Sequence, residues 1–389
     1  MCGTFFDLHK FYDTVQPEPL FEAIVETNFP IQDAMMGFQM HMAPRTIIVN
    51  TLPSLPIRID VSILAGCIYS NPWVKSLMHS GASTIAVDHP MLSTYVDDVS
   101  NVAAGYGPDV QEAVVNCALA FNTRIVVKRK FKLSLKSAAV ASDRKLAGRV
   151  AEELAYYGIA VQVCDATRDV GVMFTAGVAR NTSLARKRMT KASRRAQRIV
   201  RVAQVTRSAR RLFTSGAYPQ AVWGHQCVGV SGAIVRSLRR MAASTTGISQ
   251  QSQRCLTSVI FVCFGKWGDP WQRIIKETVN VWVRLMPIQY ARGHLHLANA
   301  WSKAKQSVVD GPTPQYLDEI PNIQIRWNRV VGPLTNMVAS LFSIGWMPVS
   351  FSEWHSREGV VWTFPTSADT PYTTFHVVRA MQHSISRLL

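Results

Sequence analysis

Acidic residues are missing from a quarter of this sequence. Between Val170 and Gly268 there is no aspartate or glutamate, while the same stretch holds seventeen lysines and arginines. The other 25 basic residues are matched by 25 acidic ones, so the net charge of +17 resides in one segment. A solvated helix surface normally mixes both signs, because opposite charges at i,i+4 stabilise it. A run without carboxylates fits a polyanion held against it, and nucleic acid is the expected partner. The seven cysteines (2, 67, 117, 164, 227, 255 and 263) include no C-x-x-C pair. That excludes a disulfide framework and an ordinary zinc cluster. Long apolar runs are lacking too. The strongest, CLTSVIFVCF at 255–264, is too short to cross a bilayer, so no membrane partner is expected. Asp7, His9, Lys10 and Asp13 interrupt the beginning, where a signal peptide would need an apolar core, and an intracellular protein is expected. There is no internal repeat and no low-complexity segment.

What is present suits a globular chain. The 389 residues are 48% hydrophobic and only 17% charged, enough for two or three packed domains. Residues 1–175 read as mixed α and β. CGTFFDL is a short strand ending in a carboxylate, and Pro17-Glu18-Pro19 opens a helix. Helical character follows near 31–43. RTIIVN and IRIDV read as strands joined by the turn TLPSLP, and 67–78 as a helix. LSTYVDDVSNVAAG reads as two strands flanking a polar tip, 109–128 as an amphipathic helix, and FKLSLKSAAVAS as strand material. A helix at 143–157 precedes the strands IAVQVC and DVGVMF. Residues 176–306 read as helical and basic. From Met189, the positions Ala192, Ala196, Ile199 and Ala203 form an apolar stripe at helical spacing. Lys187, Lys191, Arg194, Arg198 and Arg201 share another face, placed to track a nucleic-acid backbone. The segment VVDGPTPQYLDEIPN at 308–322 looks like a boundary, and the Trp-rich tail 307–389 shows no clear period.

Two segments carry the chemistry. FFDLHKFYDTV puts Asp7 at the end of an apolar strand, and TYVDDVSNVAAG puts Asp97 and Asp98 at a hairpin tip. Three carboxylates converging at strand ends repel one another unless a cation neutralises them. Two Mg2+ ions, with Mn2+ as a substitute, are suited to this, being hard and content to share carboxylates with phosphate. Such a pair clamps the attacking and leaving oxygens of an in-line phosphoryl transfer. The alternative is a solvated turn, where aspartate is common.

The first segment resembles the first catalytic motif of reverse transcriptases of the non-LTR retrotransposon and group II intron type, D-L-x-K-A-F-D-x-V. Y-V-D-D at 95–98 resembles their aromatic-x-D-D motif. A-G-C-I-Y-S-N-P at 65–72 resembles their Q-G-x-x-x-S-P motif, matching at Gly66 and Ser70, with Ala65 in place of glutamine and Asn71 before Pro72. F-K-L-S-L-K-S at 131–137 resembles the fourth motif, with Lys136 on its lysine. D-V-G-V at 169–172 resembles the L-G-V strand of the primer grip. The five occur in the family's order.

The resemblance implies an α+β fold: a polymerase palm with an antiparallel sheet packed on helices, then a helical, basic, thumb-like domain. It implies RNA-directed DNA synthesis with an RNA template, a DNA primer and deoxynucleoside triphosphates, in the nucleus for a retroelement. Asp7 and Asp97 would hold the metals, with Asp98 more peripheral; Gly66 and Ser70 would contact template and nucleotide. Tyr12 would be the gate beneath the sugar, or else a core aromatic. Lys136 would meet the triphosphate or protonate the leaving group, or else be a surface lysine; Lys10 and Asp13 match the pattern but suit structural roles equally. The first motif begins at residue 5, so the fingers that precede the palm in that family are not expected here, and catalysis is expected to be impaired. The rival expectation is a nucleic-acid-binding remnant that does not polymerise. A membrane-surface protein is disfavoured, because the arginine face lacks an opposing Trp/Phe-rich face. His225 and Cys227 in GHQCVG read as a packed loop, and His294 and His296 in GHLHLA as a loop with strand-like alternation.

Overall fold

The computed structural model describes residues 1–248, 255–265, 268–364 and 371–388, so Arg254 and Lys266 of the acid-free stretch lie outside the described residues. The chain divides into two compact units, Met1–Gly177 and Val178–Leu389.

The first unit is α+β. Its elements are β1 (Cys2–Asp7), α1 (Pro17–Glu26), α2 (Ile31–Met42), α3 (Ser70–Asp88), β2 (Leu92–Tyr95), β3 (Asp98–Ala103), α4 (Gly107–Phe121), β4 (Ala138–Ala141), α5 (Arg144–Tyr156), β5 (Gln162–Val163), β6 (Ala166–Asp169) and β7 (Val172–Thr175). Five strands form one sheet in the order β2-β3-β1-β4-β5. The first four are antiparallel to their neighbours, and β5 runs parallel to β4. The crossover from β1 to β2 skips one position, which β3 fills on its return. This is the split βαβ arrangement.

Alternation along β1 assigns the two faces. Cys2, Phe6 and, just beyond, Leu8 join the helix-covered core with Leu20, Ile24, Trp73, Leu77, Val114 and Phe121. Phe5 joins a smaller cluster on the other face, with Val140, Val102 and Phe174. Asp7 follows Phe5 by two residues and therefore shares its face.

Local chemistry sets the helices. Prolines occupy the first turns of α1 and α4, where a missing N–H costs nothing. The Asp143 side chain accepts the Lys145 amide at 3.0 Å and caps α5. Gly37 lets α2 approach α3, since a Cβ there would lie 2.4 Å from the Trp73 ring.

Several expected elements take a different form. The strands expected in RTIIVN and IRIDV reduce to one antiparallel bridge between Arg45 and Ile57 and the short ladder Ile48–Val49 with Leu52–Pro53. Its turn falls at Asn50–Thr51, both with positive φ, rather than at TLPSLP. Pro53 and Pro56 lack amides and limit the ladder. The segment expected as one strand at DVGVMF is a hairpin, turning at Val170–Gly171 with both φ values positive.

Arg129 braces this unit from inside. Its guanidinium, 1% exposed, donates to Glu26 at 2.7 Å, to the Ser80 hydroxyl at 2.7 Å and to the Pro19 carbonyl at 3.1 Å. It thereby ties α1 to α3. Burial raises the Glu26 pKa, but the hydrogen bonds from Ser80 and Arg129 outweigh it and hold the carboxyl below its usual range.

The second unit is mainly helical, with α6 (Ser183–Ala203), α7 (Gly232–Ser244), α8 (Pro270–Val308), α9 (Pro333–Ser343), β8 (Glu353–His355), β9 (Val361–Thr363) and α10 (Pro371–Leu388). Gly293, with φ 152° and ψ 98°, breaks α8 into two helical stretches. The separation expected between 176–306 and 307–389 is not a division between compact units. Trp282 and Trp301 of α8 pack in one core with Met337 and Leu341 of α9, Trp346, Trp354, and Val377 and Ile385 of α10. Tryptophans scattered without a period meet only through tertiary packing, which local patterning does not reveal. His225 is packed inside as expected, with Nδ1 2.9 Å from the Val222 carbonyl oxygen. His294 and His296 lie on α8 rather than in a strand-like loop.

Replacing Arg129 by leucine removes the donor to the Glu26 carboxylate, the Ser80 hydroxyl and the Pro19 carbonyl and should destabilise the first unit by about 2 kcal/mol at neutral pH. A depressed pKa contributes stability above the unfolded value and loses it as pH falls through the folded value. The cost of Arg129→Leu should therefore shrink as denaturant unfolding is followed down to acidic pH.

Candidate active site and nucleic-acid face

The strands that the three-carboxylate pattern required to be neighbours are neighbours. β1 pairs antiparallel with β3, and the register sets Asp7 opposite Asp98. Residues directly opposite share a face with Cβ atoms about 5 Å apart, so these two carboxylates stand side by side. Ser100 and Val102 follow on that same face of β3, while Val99, Asn101 and Ala103 face the helices. Asp97 sits in the two-residue turn between β2 and β3, which closes on the pair Tyr95 and Asp98.

That turn is strained. Val96 has φ 60°, a conformation that glycine adopts freely and a β-branched residue does not. Positive φ at the first turn position and not at the second is the type II′ pattern, which suits the strand twist but favours glycine there. A strained residue of this kind costs about 1–3 kcal/mol and persists where surrounding structure holds it, often at functional sites.

A fourth carboxylate joins the group. Asp169, the last residue of β6, accepts a hydrogen bond from the Ser100 hydroxyl, and burial nonetheless pushes its pKa up. Burial also raises Asp98, reinforced by Asp97, Asp169 and Asp7 and opposed by Arg168. A single strand over 169–172 gives Asp169 no distinct place in the sequence. The signal that could have found it is the Val170–Gly171 pair, a turn that leaves an aspartate at a strand end.

The remaining sequence candidates fall around this group. The Tyr12 hydroxyl donates to Asn71 Oδ1 at 3.2 Å. Partial burial raises its pKa, as do Asp97 and Tyr95, which places the ring beside the hairpin tip. Lys136 is exposed in a loop fastened to Asp7 itself: the Ser134 amide donates to the Asp7 carbonyl at 2.7 Å, and the Asp7 amide donates to the Ser137 hydroxyl at 3.3 Å. Gly66 has φ 85° in the loop before α3. Ser70 is buried, and its hydroxyl donates to the Cys67 carbonyl at 2.7 Å, so it shapes the turn into α3 while its neighbour Asn71 reaches Tyr12. A cavity of about 510 Å3 opens between α3 and the hairpin, lined by Asn71, Lys75, His79, Thr94, Tyr95 and Val96 among others.

The donor set suits a hard cation, since carboxylate oxygens held in mutual repulsion are stabilised by Mg2+ or Mn2+. As oriented, the side chains do not close around one: among the described residues, no three His, Cys, Asp or Glu side chains are grouped to hold a metal ion.

In the second unit, α6 presents the expected two faces. Ala192, Ala196, Ile199 and Ala203 are buried, with Met189 partly buried against the same core. Lys187, Lys191, Arg194, Arg198 and Arg201 are all exposed, and none is paired with a carboxylate among the described residues. Among the described residues, no helix is long and apolar enough to cross a membrane. No protein-family model matches the chain, and no curated protein matches it.

A raised carboxyl pKa means stability present below the unfolded value and lost as pH rises through the folded one. In EDTA at neutral pH, Asp98→Asn should therefore raise the unfolding free energy by about 1 kcal/mol, and the gain should vanish at acidic pH. For the α6 face, Arg194, Arg198 and Arg201 changed together to Gln should weaken binding to an RNA–DNA hybrid. The slope of log affinity against log salt should flatten by up to about three units, with little change in fold stability.

Proposed function

We propose that the first unit is the palm of an RNA-directed DNA polymerase and that the basic helices of the second unit hold the template–primer duplex. The observation that carries this reading is Asp7 set directly across from Asp98 on one face of a split βαβ sheet, with Asp97 in the strained turn beside them. Supporting it are the ordered motifs that resemble non-LTR and group II intron reverse transcriptases, and the proximity of Tyr12 and Asn71 to the hairpin.

Held by Asp7 and Asp97, with Asp98 more peripheral, two magnesium ions would neutralise the triphosphate and favour an ionised primer 3′-hydroxyl. The protein's own groups do the positioning. Tyr12, fixed by its hydrogen bond to Asn71, offers a ring edge beneath a sugar and excludes a 2′-hydroxyl. Lys136 projects from the loop tied to Asp7 and can meet the phosphates or donate a proton to the leaving group. Asp169 and Arg168 stand on the adjoining hairpin, whose segment 169–172 resembles the family's primer grip.

A second reading is a nucleic-acid-binding protein that does not polymerise. It is favoured by the α6 face, which needs none of the carboxylates, and by Ala65 where the resembling motif has glutamine.

The test is primer extension on an RNA template with deoxynucleoside triphosphates and Mg2+ or Mn2+. The polymerase reading expects extension, however slow, that Asp97→Asn reduces by at least a hundredfold while hybrid affinity is kept. Binding without extension in the wild-type chain would leave the second reading.

A further inference from the structure

A second cavity, of about 1180 Å3, lies wholly within the second unit. Its floor is apolar, with Val235, Ile275 and Phe342 among the lining residues. Two indole rings, Trp271 and Trp327, line it and are only partly buried. Three arginines reach it from two directions, Arg236 and Arg239 from α7 and Arg357 from the turn between β8 and β9. They are not equivalent. Arg239 is committed, donating to Asp269 at 2.8 Å and to the Thr257 hydroxyl at 2.7 Å. Arg236 and Arg357 are exposed and meet no carboxylate among the described residues. Asp318, exposed, also lines the cavity.

An apolar floor, partly exposed indoles and two free guanidinium groups match one ligand chemistry: a planar aromatic body carrying phosphate. Aromatic side chains stack on unpaired bases of any sequence, and guanidinium groups take phosphate oxygens in bidentate fashion. We propose that this cavity receives an unpaired nucleotide of single-stranded nucleic acid, its base against Trp271 and Trp327 and its phosphates on Arg236 and Arg357. A base within a duplex is stacked and paired, so it cannot enter; the occupant is a splayed-out nucleotide of a single strand or an overhang. The site is separate from the α6 face and goes beyond the polymerase reading, since it requires no catalysis.

The experiment is fluorescence anisotropy with end-labelled oligo(U) and oligo(dT) of about ten nucleotides, the span of a small single-strand site, titrated with the full chain across a salt series. Arg236→Gln with Arg357→Gln, both at exposed positions, should lower affinity about tenfold at low salt and flatten the slope by about 1.4 units, roughly 0.7 for each phosphate contact on a single strand. Trp327→Leu should lower affinity about tenfold at every salt concentration and leave the slope unchanged, because stacking releases no counterion. Circular dichroism checks that each variant is folded, and the arginine pair serves as the test should Trp327→Leu not fold. Unchanged affinity and slope in the arginine variant would overturn the proposal. So would an equal loss for a blunt duplex in the tryptophan variant, which would mean the rings contact something other than an unpaired base.

Discussion

Antiparallel pairing of β1 with β3 sets one carboxylate directly across from another, and the first unit is arranged around that contact. Like charges facing each other across a sheet are destabilising. Here Asp97 in the turn and Asp169 from the adjoining hairpin add to the repulsion, and burial first, then these neighbouring carboxylates, raise the Asp98 pKa. Folding tolerates this because the other face of the same strands is packed. Cys2, Phe6, Leu8 and Val99 are buried against α3 and α4, and a register slip of one residue would turn all of them outward. The core that fixes the register is thus what holds the acids together. The strain at Val96 belongs to the same arrangement, since relieving it would loosen the turn that sets Asp97 beside Asp98.

The second unit answers a different constraint. Its charge excess is carried largely by exposed lysines and arginines, whose mutual repulsion water and salt screen, while small residues carry the packing. Alanines at 192, 196 and 203 on α6 allow close helix contact with little side-chain bulk, leaving the exposed face to lysine and arginine. The basic helices bury a cluster of their own around Ile199, Phe213 and Leu238, and the tryptophan-rich core of α8, α9 and α10 is a second one.

The legible parts of the sequence are those governed by short-range rules. The β2–β3 hairpin followed from alternation around Tyr95-Val96-Asp97-Asp98, and α6 from its three-and-four spacing. The α5 helix is legible at 143–157, and the Asp143 side chain caps it. Elements set by distant contacts were not readable. Residues 45–57 look β-branched and strand-like, yet their prolines and an Asn-Thr turn leave a two-residue ladder and a single bridge. Arg129, three-quarters of the way along the first unit, gives no local sign that it will be enclosed by Glu26 and Ser80. Asp169 was missed for a similar reason: only the turn at Val170–Gly171 returns the chain so that Asp169 reaches Ser100. Ser70 was readable as a residue of interest, but its role in shaping the turn depends on the Cys67 carbonyl that receives its hydroxyl.

The proposed cation site lies between the facing acids. Anomalous diffraction from crystals grown with Mn2+ tests it most directly. The expected result is side-chain rotation without backbone rearrangement, a strong manganese peak between Asp7 and the Asp97–Asp98 turn, and loss of that peak in Asp97→Asn. Manganese bound elsewhere, with this face of the sheet empty at saturating metal, would contradict it.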